Sequence, residues 1–116
     1  PQIELEVLAE HAPANVVNCF AAVLREALSN TMRHAHAQNV TVRCMEHPSF
    51  YQLIVTDDGE GRIRAGGRGV AEGMGLGSMR ERVEALGGTF TAGPRAGAPG
   101  WRVFATVPKQ QGDEAR

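Results

Sequence analysis

A glycine-rich stretch at residues 57–77 constrains this chain more than any other feature. It holds eight of the fourteen glycines, begins with the acidic pair Asp57-Asp58 and ends in Gly75-Leu76-Gly77. An apolar, strand-like run precedes it and a helical pattern follows it. Glycine lets the backbone approach a ligand closely, and the first N–H groups of a helix are unpaired and partly positive. Such a loop favours phosphate binding, with an ordinary exposed surface loop as the alternative.

Composition narrows the class of protein. A chain of 116 residues with 42% apolar residues predicts one globular domain. A net charge of −1 without a basic run argues against a nucleic acid partner, and no apolar run is long enough to span a bilayer. Cys19 and Cys44 lack metal-ligand spacing, so we expect reduced core thiols. Because the sequence opens without a methionine or a signal-peptide pattern, we expect it to be a segment of a longer protein.

Periodicity predicts five strands and two helices. Alternating apolar residues predict strands at residues 3–7, 40–44, 51–56, 89–92 and 102–107. Helical spacing predicts a first helix over residues 15–35 and a second over residues 76–86. With helices between non-adjacent strands and a hairpin-like end, this order indicates a two-layer α/β sandwich. We expect the domain to span residues 1–108 and a frayed polar tail to span residues 109–116.

The first helix carries a polar stripe. Glu26, Asn30 and His34 are spaced i, i+4 and i+8, which places them one turn apart on one face, with Arg33 beside them. A solvated face is the alternative, but the stripe contains no lysine partner, and asparagine is a weak helix former. An asparagine carbonyl suits Mg²⁺, a glutamate suits proton transfer and an arginine suits a phosphate.

Three ordered motifs resemble those of the GHKL ATP-binding fold, which gyrases, chaperones, histidine kinases and MutL share. Residues 25–35, REALSNTMRHA, resemble its N box, residues 57–61, DDGEG, its DxGxG box, and residues 73–77, GMGLG, its second glycine box. The continuation MRERVEALGG at residues 79–88 is similar to the histidine kinases that pair with response regulators of the NarL/LuxR type. The resemblance runs from the first strand to Pro108. It implies an α+β fold, with a mixed sheet of about five strands covered by helices on one face.

The resemblance also implies a site for ATP and Mg²⁺. Asn30 would hold Mg²⁺ against the phosphates, Arg33 and His34 would lie near the phosphates or ribose, and Glu26 matches the general base of the family's ATPases. Asp57 would accept the adenine amino group and so select adenine over guanine. Residues 62–72 would form a lid over the nucleotide. The remaining implied nucleotide contacts are Gly59, Gly61, Gly73, Gly75, Leu76 and Gly77.

One position departs from the family pattern. Members usually have Gly-Thr near the start of the last strand, with the threonine hydroxyl near the adenine and the aspartate of the DxGxG box. Here the same place reads Gly100-Trp101. An adenine network completed by water, a weakened site and an indole stacked beside the base all stay open. The simplest alternative is that Trp101 packs at the sheet edge.

The function that the resemblance implies is the ATP-binding catalytic domain of a two-component sensor histidine kinase. It would act in the cytoplasm, upstream of a NarL/LuxR-type response regulator, with no direct nucleic acid or membrane contact. The phosphoacceptor histidine is expected on a dimerisation domain outside this segment, so the segment alone should not autophosphorylate. A serine kinase similar to anti-sigma-factor kinases and a non-catalytic nucleotide-binding or docking module are the alternatives. No acceptor context surrounds any of the four histidines, which are His11, His34, His36 and His47.

Overall fold

The computed structural model describes residues 2–8, 11–35, 37–59 and 75–110. These residues form a five-stranded sheet, two α-helices and one π-helical segment that continues the first helix. In chain order the elements are β1 (Gln2–Val7), α1 (Ala14–Asn30), the π segment (Thr31–Ala35), β2 (Asn39–Glu46), β3 (Phe50–Asp57), α2 (Leu76–Glu84), β4 (Thr89–Pro94) and β5 (Trp101–Pro108).

The sheet is mixed, with strand order β1-β2-β3-β5-β4. The pair β1–β2 is parallel, and the other three pairs are antiparallel. Helix α2 joins β3 to β4. Strand β5 lies between these two in the sheet, so they are non-adjacent, as predicted. Helix α1 instead joins β1 to its immediate neighbour β2, so the expectation of non-adjacent strands is wrong there. A helical crossover is the usual connection between adjacent parallel strands, because a tight turn cannot reverse the chain direction twice.

The core lies between one face of the sheet and the two helices. Strand β3 alternates between buried and half-buried positions along its whole length, as the pleat requires when one face is covered. This arrangement confirms the predicted two-layer α+β sandwich. The most deeply buried apolar side chains are Val23, Ala27, Val40, Val42, Tyr51, Leu53, Met79, Val83, Ala105 and Val107.

Helix α1 changes character near its C-terminal end. The predicted helix over residues 15–35 is α-helical only as far as Asn30, and the π segment completes it. The N–H group of Thr31 is shared between the carbonyls of Ala27 and Leu28. Such π-helical turns are uncommon and occur frequently at functional sites. Asn30 and Thr31 at this junction are both buried.

Lys109 belongs to the folded domain and not to a frayed tail. Its N–H group donates to the Ser49 carbonyl at 2.9 Å, and its Nζ lies 2.7 Å from Glu46 Oε2. Only 9% of its side chain is exposed. Residues 111–116, the rest of the predicted tail, lie outside the described residues.

Both cysteines are free thiols, as predicted, and burial raises the pKa of each. Across the described ranges of the chain, no helix combines the length and the apolarity needed to cross a membrane.

Candidate functional site

Three parts of the chain meet at one end of the sheet. These are the junction of α1 with the π segment, the C-terminal end of β3, and the start of α2. A hydrogen bond from Thr31 to Asp57 joins the first two parts. The side chain of Glu26 lies against Gly75 and joins the first part to the third. The fold thus brings the N box, the DxGxG box and the second glycine box together.

Asp57 is a buried carboxylate with a defined orientation. It is 3% exposed, and its Oδ2 accepts a hydrogen bond of 3.0 Å from Thr31 Oγ1. Its Oδ1 accepts one of 3.0 Å from the N–H group of Gly59. Buried polar atoms require such partners.

Asp58 has a different role from its neighbour. Successive residues of an extended chain point to opposite sides, and Asp58 points to the start of β2. Its Oδ1 accepts from the N–H groups of Gln38 at 2.9 Å and Asn39 at 3.0 Å, and its Oδ2 accepts from Asn39 Nδ2 at 2.8 Å. The hydrogen bonds from Asn39, and then that from Gln38, lower the pKa of the Asp58 carboxyl below its ordinary value. Asp58 therefore ties β3 to the segment that follows the π turn.

The polar stripe of α1 is partly assembled. Asn30 is 3% exposed, and Arg33 Nη2 lies 3.4 Å from its Oδ1. The same Nη2 lies 3.9 Å from Glu26 Oε1, and this pair is more exposed. A buried amide, a carboxylate and a guanidinium thus share one edge of the site. The structure describes the backbone of His34 but not its side chain.

The second glycine box contacts α1 through Gly75. This residue precedes α2 with a left-handed backbone, φ 66°. A Cβ there would lie 2.7 Å from Glu26 Oε1, whereas a Cβ at Gly77 would meet no atom of the described residues within 4 Å. Leu76 packs in part against the core. Gly77 lies at the N-terminus of α2, the kind of position at which phosphate groups bind. Gly61 and Gly73 lie outside the described residues.

Trp101 does not lie at a sheet edge, so that expectation is wrong. It opens β5, which is an interior strand, and it is paired with Asp57 on one side and Pro94 on the other. Its side chain is half-buried against the core. Gly100 before it has φ 125°, and a Cβ there would overlap the carbonyl oxygen of Asp57. The start of β5 is therefore packed directly against the end of β3.

Sequence reasoning missed Thr31 and Asp58 as members of this site. Thr31 lies on the buried face of the helix, where its spacing is that of an apolar residue. The one available signal was its hydroxyl, because a polar side chain on a buried face needs a partner. For Asp58, the signal was its position after a strand, where alternation predicts that two adjacent aspartates diverge.

Comparison with known proteins places this geometry in a family. A family model described as "Histidine kinase-, DNA gyrase B-, and HSP90-like ATPase" matches residues 16–111. The signal transduction histidine-protein kinase/phosphatase UhpB of Salmonella typhimurium is 38% identical over 88 residues, which are 76% of this chain and 16% of UhpB. The nitrate/nitrite sensor protein NarQ of Escherichia coli is 35% identical over 100 residues, which are 81% of this chain and 16% of NarQ.

A solved structure agrees with the fold. The catalytic domain of histidine kinase ThkA is similar with a TM-score of 0.69 at 15% identity, covering 93% of this chain and 78% of that one. The sequence relatives are much longer, since this chain spans 16% of the length of each. The resemblance of the three motifs to the GHKL fold is confirmed. The chain belongs to the family of histidine kinase-, DNA gyrase B- and HSP90-like ATPases, and the relatives that it matches there are sensor proteins of the histidine kinase class.

Proposed function

We propose that this chain is the ATP-binding catalytic domain of a two-component sensor histidine kinase. Its substrates would be Mg-ATP and a histidine on a dimerisation domain of the same protein. The observation that carries the proposal is the buried Asp57 carboxylate, held by Thr31 and Gly59 where the N box helix, β3 and α2 meet. Such a carboxylate suits a purine that presents an amino group.

Adenine recognition follows from the acceptor character of Asp57. Adenine carries an amino donor at its sixth position, whereas guanine carries a carbonyl acceptor there. A carboxylate accepts hydrogen bonds, so it attracts the first group and repels the second. Gly59 keeps the backbone beside Asp57 free of a side chain, which suits the close approach of a flat base.

Phosphate and metal binding would fall to α1 and the start of α2. The Asn30 carbonyl oxygen would be a ligand of Mg²⁺, with Glu26 orienting or deprotonating the nucleophile. Mg²⁺ commonly takes few protein ligands and completes its shell with phosphate oxygens and water, so these side chains fit it. Arg33, which lies against both, would neutralise phosphate charge. ATP would supply the phosphoryl group, and the chain would supply positioning and charge.

The whole protein would act in a signalling pathway in the cytoplasm, where ATP is available. Two sensor relatives support the signalling role, since both match most of the present chain. The response regulator downstream would be of the NarL/LuxR type. The segment after the second glycine box, which is similar to kinases of that class, supports this choice.

Calorimetric titration of ATP and GTP in the presence of Mg²⁺ tests the site. We expect ATP to bind and GTP to bind far more weakly. Asp57→Ala should abolish ATP binding, whereas Asn30→Ala should remove its dependence on Mg²⁺. Failure of the wild-type domain to bind any adenine nucleotide would contradict the kinase assignment and favour a docking module.

A transfer assay tests the acceptor. The domain is incubated with radiolabelled ATP, alone and with a dimerisation fragment of the same protein that carries the phosphoacceptor histidine. We expect label only in the second case, on the dimerisation fragment, and expect acid to remove it. Acid-stable label would instead indicate a serine acceptor.

A further inference from the structure

The hydroxyl of Thr31 holds Asp57 from the helix side of the site. Both side chains are buried, at 4% and 3% exposure, and Thr31 Oγ1 donates to Asp57 Oδ2 at 3.0 Å. The N–H group of Gly59 holds the other oxygen. Two donors on two different oxygens fix both the position and the rotation of the carboxylate.

This bond is unusual for a threonine in a helix. Serine and threonine hydroxyls in helices commonly bond to a carbonyl three or four residues earlier in the same helix. Thr31 instead reaches a residue 26 positions later, on another element. It does so at the first residue of the π segment, where the helix changes its geometry.

On the β5 side, the position directly opposite Asp57 carries no small hydroxyl. The cross-strand neighbour of Asp57 is Trp101, which fills that position with a large indole. The helix therefore supplies the short hydroxyl donor, and Thr31 is placed where it can control the carboxylate.

We infer that Thr31 is a positioning residue that sets the preference of this site for purines with an amino group at the sixth position. The inference rests on the proposed function. Hydrogen bonds weaken steeply as their angle departs from linear. A carboxylate that loses the Thr31 hydroxyl as an anchor can rotate away from the direction in which the adenine amino group approaches. A purine without an amino group at that position gains nothing from this orientation.

The test compares ATP with purine riboside triphosphate, which differs from ATP only at the sixth position of the purine, where it carries hydrogen instead of the amino group. Dissociation constants are measured by calorimetry for wild type, Thr31→Val and Thr31→Ser. We expect Thr31→Val to weaken ATP binding roughly fivefold to tenfold, the effect of losing one hydrogen bond, and to leave the binding of purine riboside triphosphate unchanged. Thr31→Ser retains the hydroxyl and should retain the wild-type ratio.

A matched control removes one hydroxyl of a hydrogen-bonded pair elsewhere in the sheet. Thr106 Oγ1 lies 2.6 Å from Thr89 Oγ1 on exposed strand positions, so Thr106→Val should leave the ratio of the two affinities unchanged. Thermal unfolding of each variant, without nucleotide, reports whether it is folded. Should Thr31→Val not fold, Thr31→Ala takes its place, since it opens a small void and puts no methyl group against the carboxylate.

The outcomes distinguish a positioning role of Thr31 from a structural one. If Thr31→Val weakens both nucleotides equally, or changes neither, the residue is merely structural and the inference is wrong. The same holds if Thr31→Ser loses the preference although it keeps the hydroxyl. If the wild-type domain itself fails to prefer ATP, the adenine assignment of the proposed function falls, and this inference falls with it.

Discussion

Gly75 adopts a left-handed backbone before α2, and the Glu26 carboxylate occupies the space where its side chain would be. We expect Gly75→Ala to lower the free energy of unfolding by about 1 kcal/mol, because an L residue is strained at this φ. The clash with Glu26 itself costs little, since the carboxylate is the flexible end of a side chain, but it displaces that group. Urea denaturation measures the loss.

Gly77 provides the matched control, two residues away in the same motif. It lies in α2, and a Cβ there meets nothing within 4 Å. Alanine is favoured over glycine in helices, so Gly77→Ala should leave the free energy of unfolding unchanged or raise it by up to about 1 kcal/mol. Equal losses in the two variants would contradict this account.

Asp58 gives a prediction about pH. Its hydrogen bonds with Asn39 and Gln38 lower the carboxyl pKa from the ordinary value of 3.8. A lowered pKa in the folded state adds stability that is fully present above 3.8 and is lost as the pH falls through the lowered value. Asp58→Asn should therefore destabilise the domain at neutral pH, and its deficit should shrink in acid. Denaturation of both proteins from pH 7 to pH about 3 checks this, and a constant deficit would refute it.

The contrast between Asp57 and Asp58 shows which features of the site could be predicted from the sequence. The family resemblance implies that Glu26, Asn30 and Asp57 share one site, and the structure joins Asp57 to Thr31, the residue after Asn30. The division of labour between the two aspartates depends on which partners the fold delivers to each. The partners that distinguish them, Thr31 for Asp57 and Asn39 for Asp58, are 26 and 19 residues away in sequence, and a local pattern carries no information about them.

Among the elements, the β4–β5 connection is where backbone crowding matters most. Gly97 and Gly100 both have positive φ, at 72° and 125°, but only Gly100 is crowded. Gly100→Ala would drive a Cβ into the Asp57 carbonyl, and backbone cannot yield as a side chain can. We expect it to lower the free energy of unfolding by about 3 kcal/mol.

Gly97→Ala is the control for that substitution. It carries the strain of a positive φ, and its added Cβ would meet no atom of the described residues within 4 Å, so we expect a loss of about 1 kcal/mol. Chemical denaturation of the two variants gives the difference. A loss at Gly97 as large as that at Gly100 would mean that φ and not contact with Asp57 dominates.

The positions of strands and helices could be predicted where the apolar pattern is regular. Features that depend on strand order or on the helical hydrogen-bond pattern could not. The alternation in β3 and the spacing in α2 are sufficient to place those elements. The period of α1 continues to residue 35, so it cannot reveal that the hydrogen-bond pattern changes at Thr31. The apolar spacing also does not reveal that β1 lies beside β2. Which strands are neighbours depends on how α1 packs back on the sheet.

For the whole molecule, nucleotide binding should appear as a gain in stability. A ligand that binds only the folded state stabilises it by about 2.7 kcal/mol at one hundred times its dissociation constant. Under that condition we expect Mg-ATP to raise the unfolding temperature by roughly 10 °C for a domain of this size. Differential scanning calorimetry measures the shift.

Two variants test whether that shift in unfolding temperature comes from the proposed site. Asp57→Ala should abolish it, because the proposed base contact is lost. Glu46→Gln alters the ion pair with Lys109 near the opposite ends of β2 and β5, so it should lower the starting temperature yet keep the shift. A shift that survives in Asp57→Ala would argue for a nucleotide site elsewhere.

The indole that opens β5 has one more consequence. It is the single tryptophan of the chain, and it is the cross-strand neighbour of Asp57. The single tyrosine, Tyr51, is buried six residues earlier in β3, roughly 20 Å away along the strand. The protein thus carries an intrinsic fluorophore beside its proposed base pocket and another well removed from it. A purine entering the pocket should alter the colour and intensity of tryptophan emission, so occupancy could be followed in real time without attaching a dye.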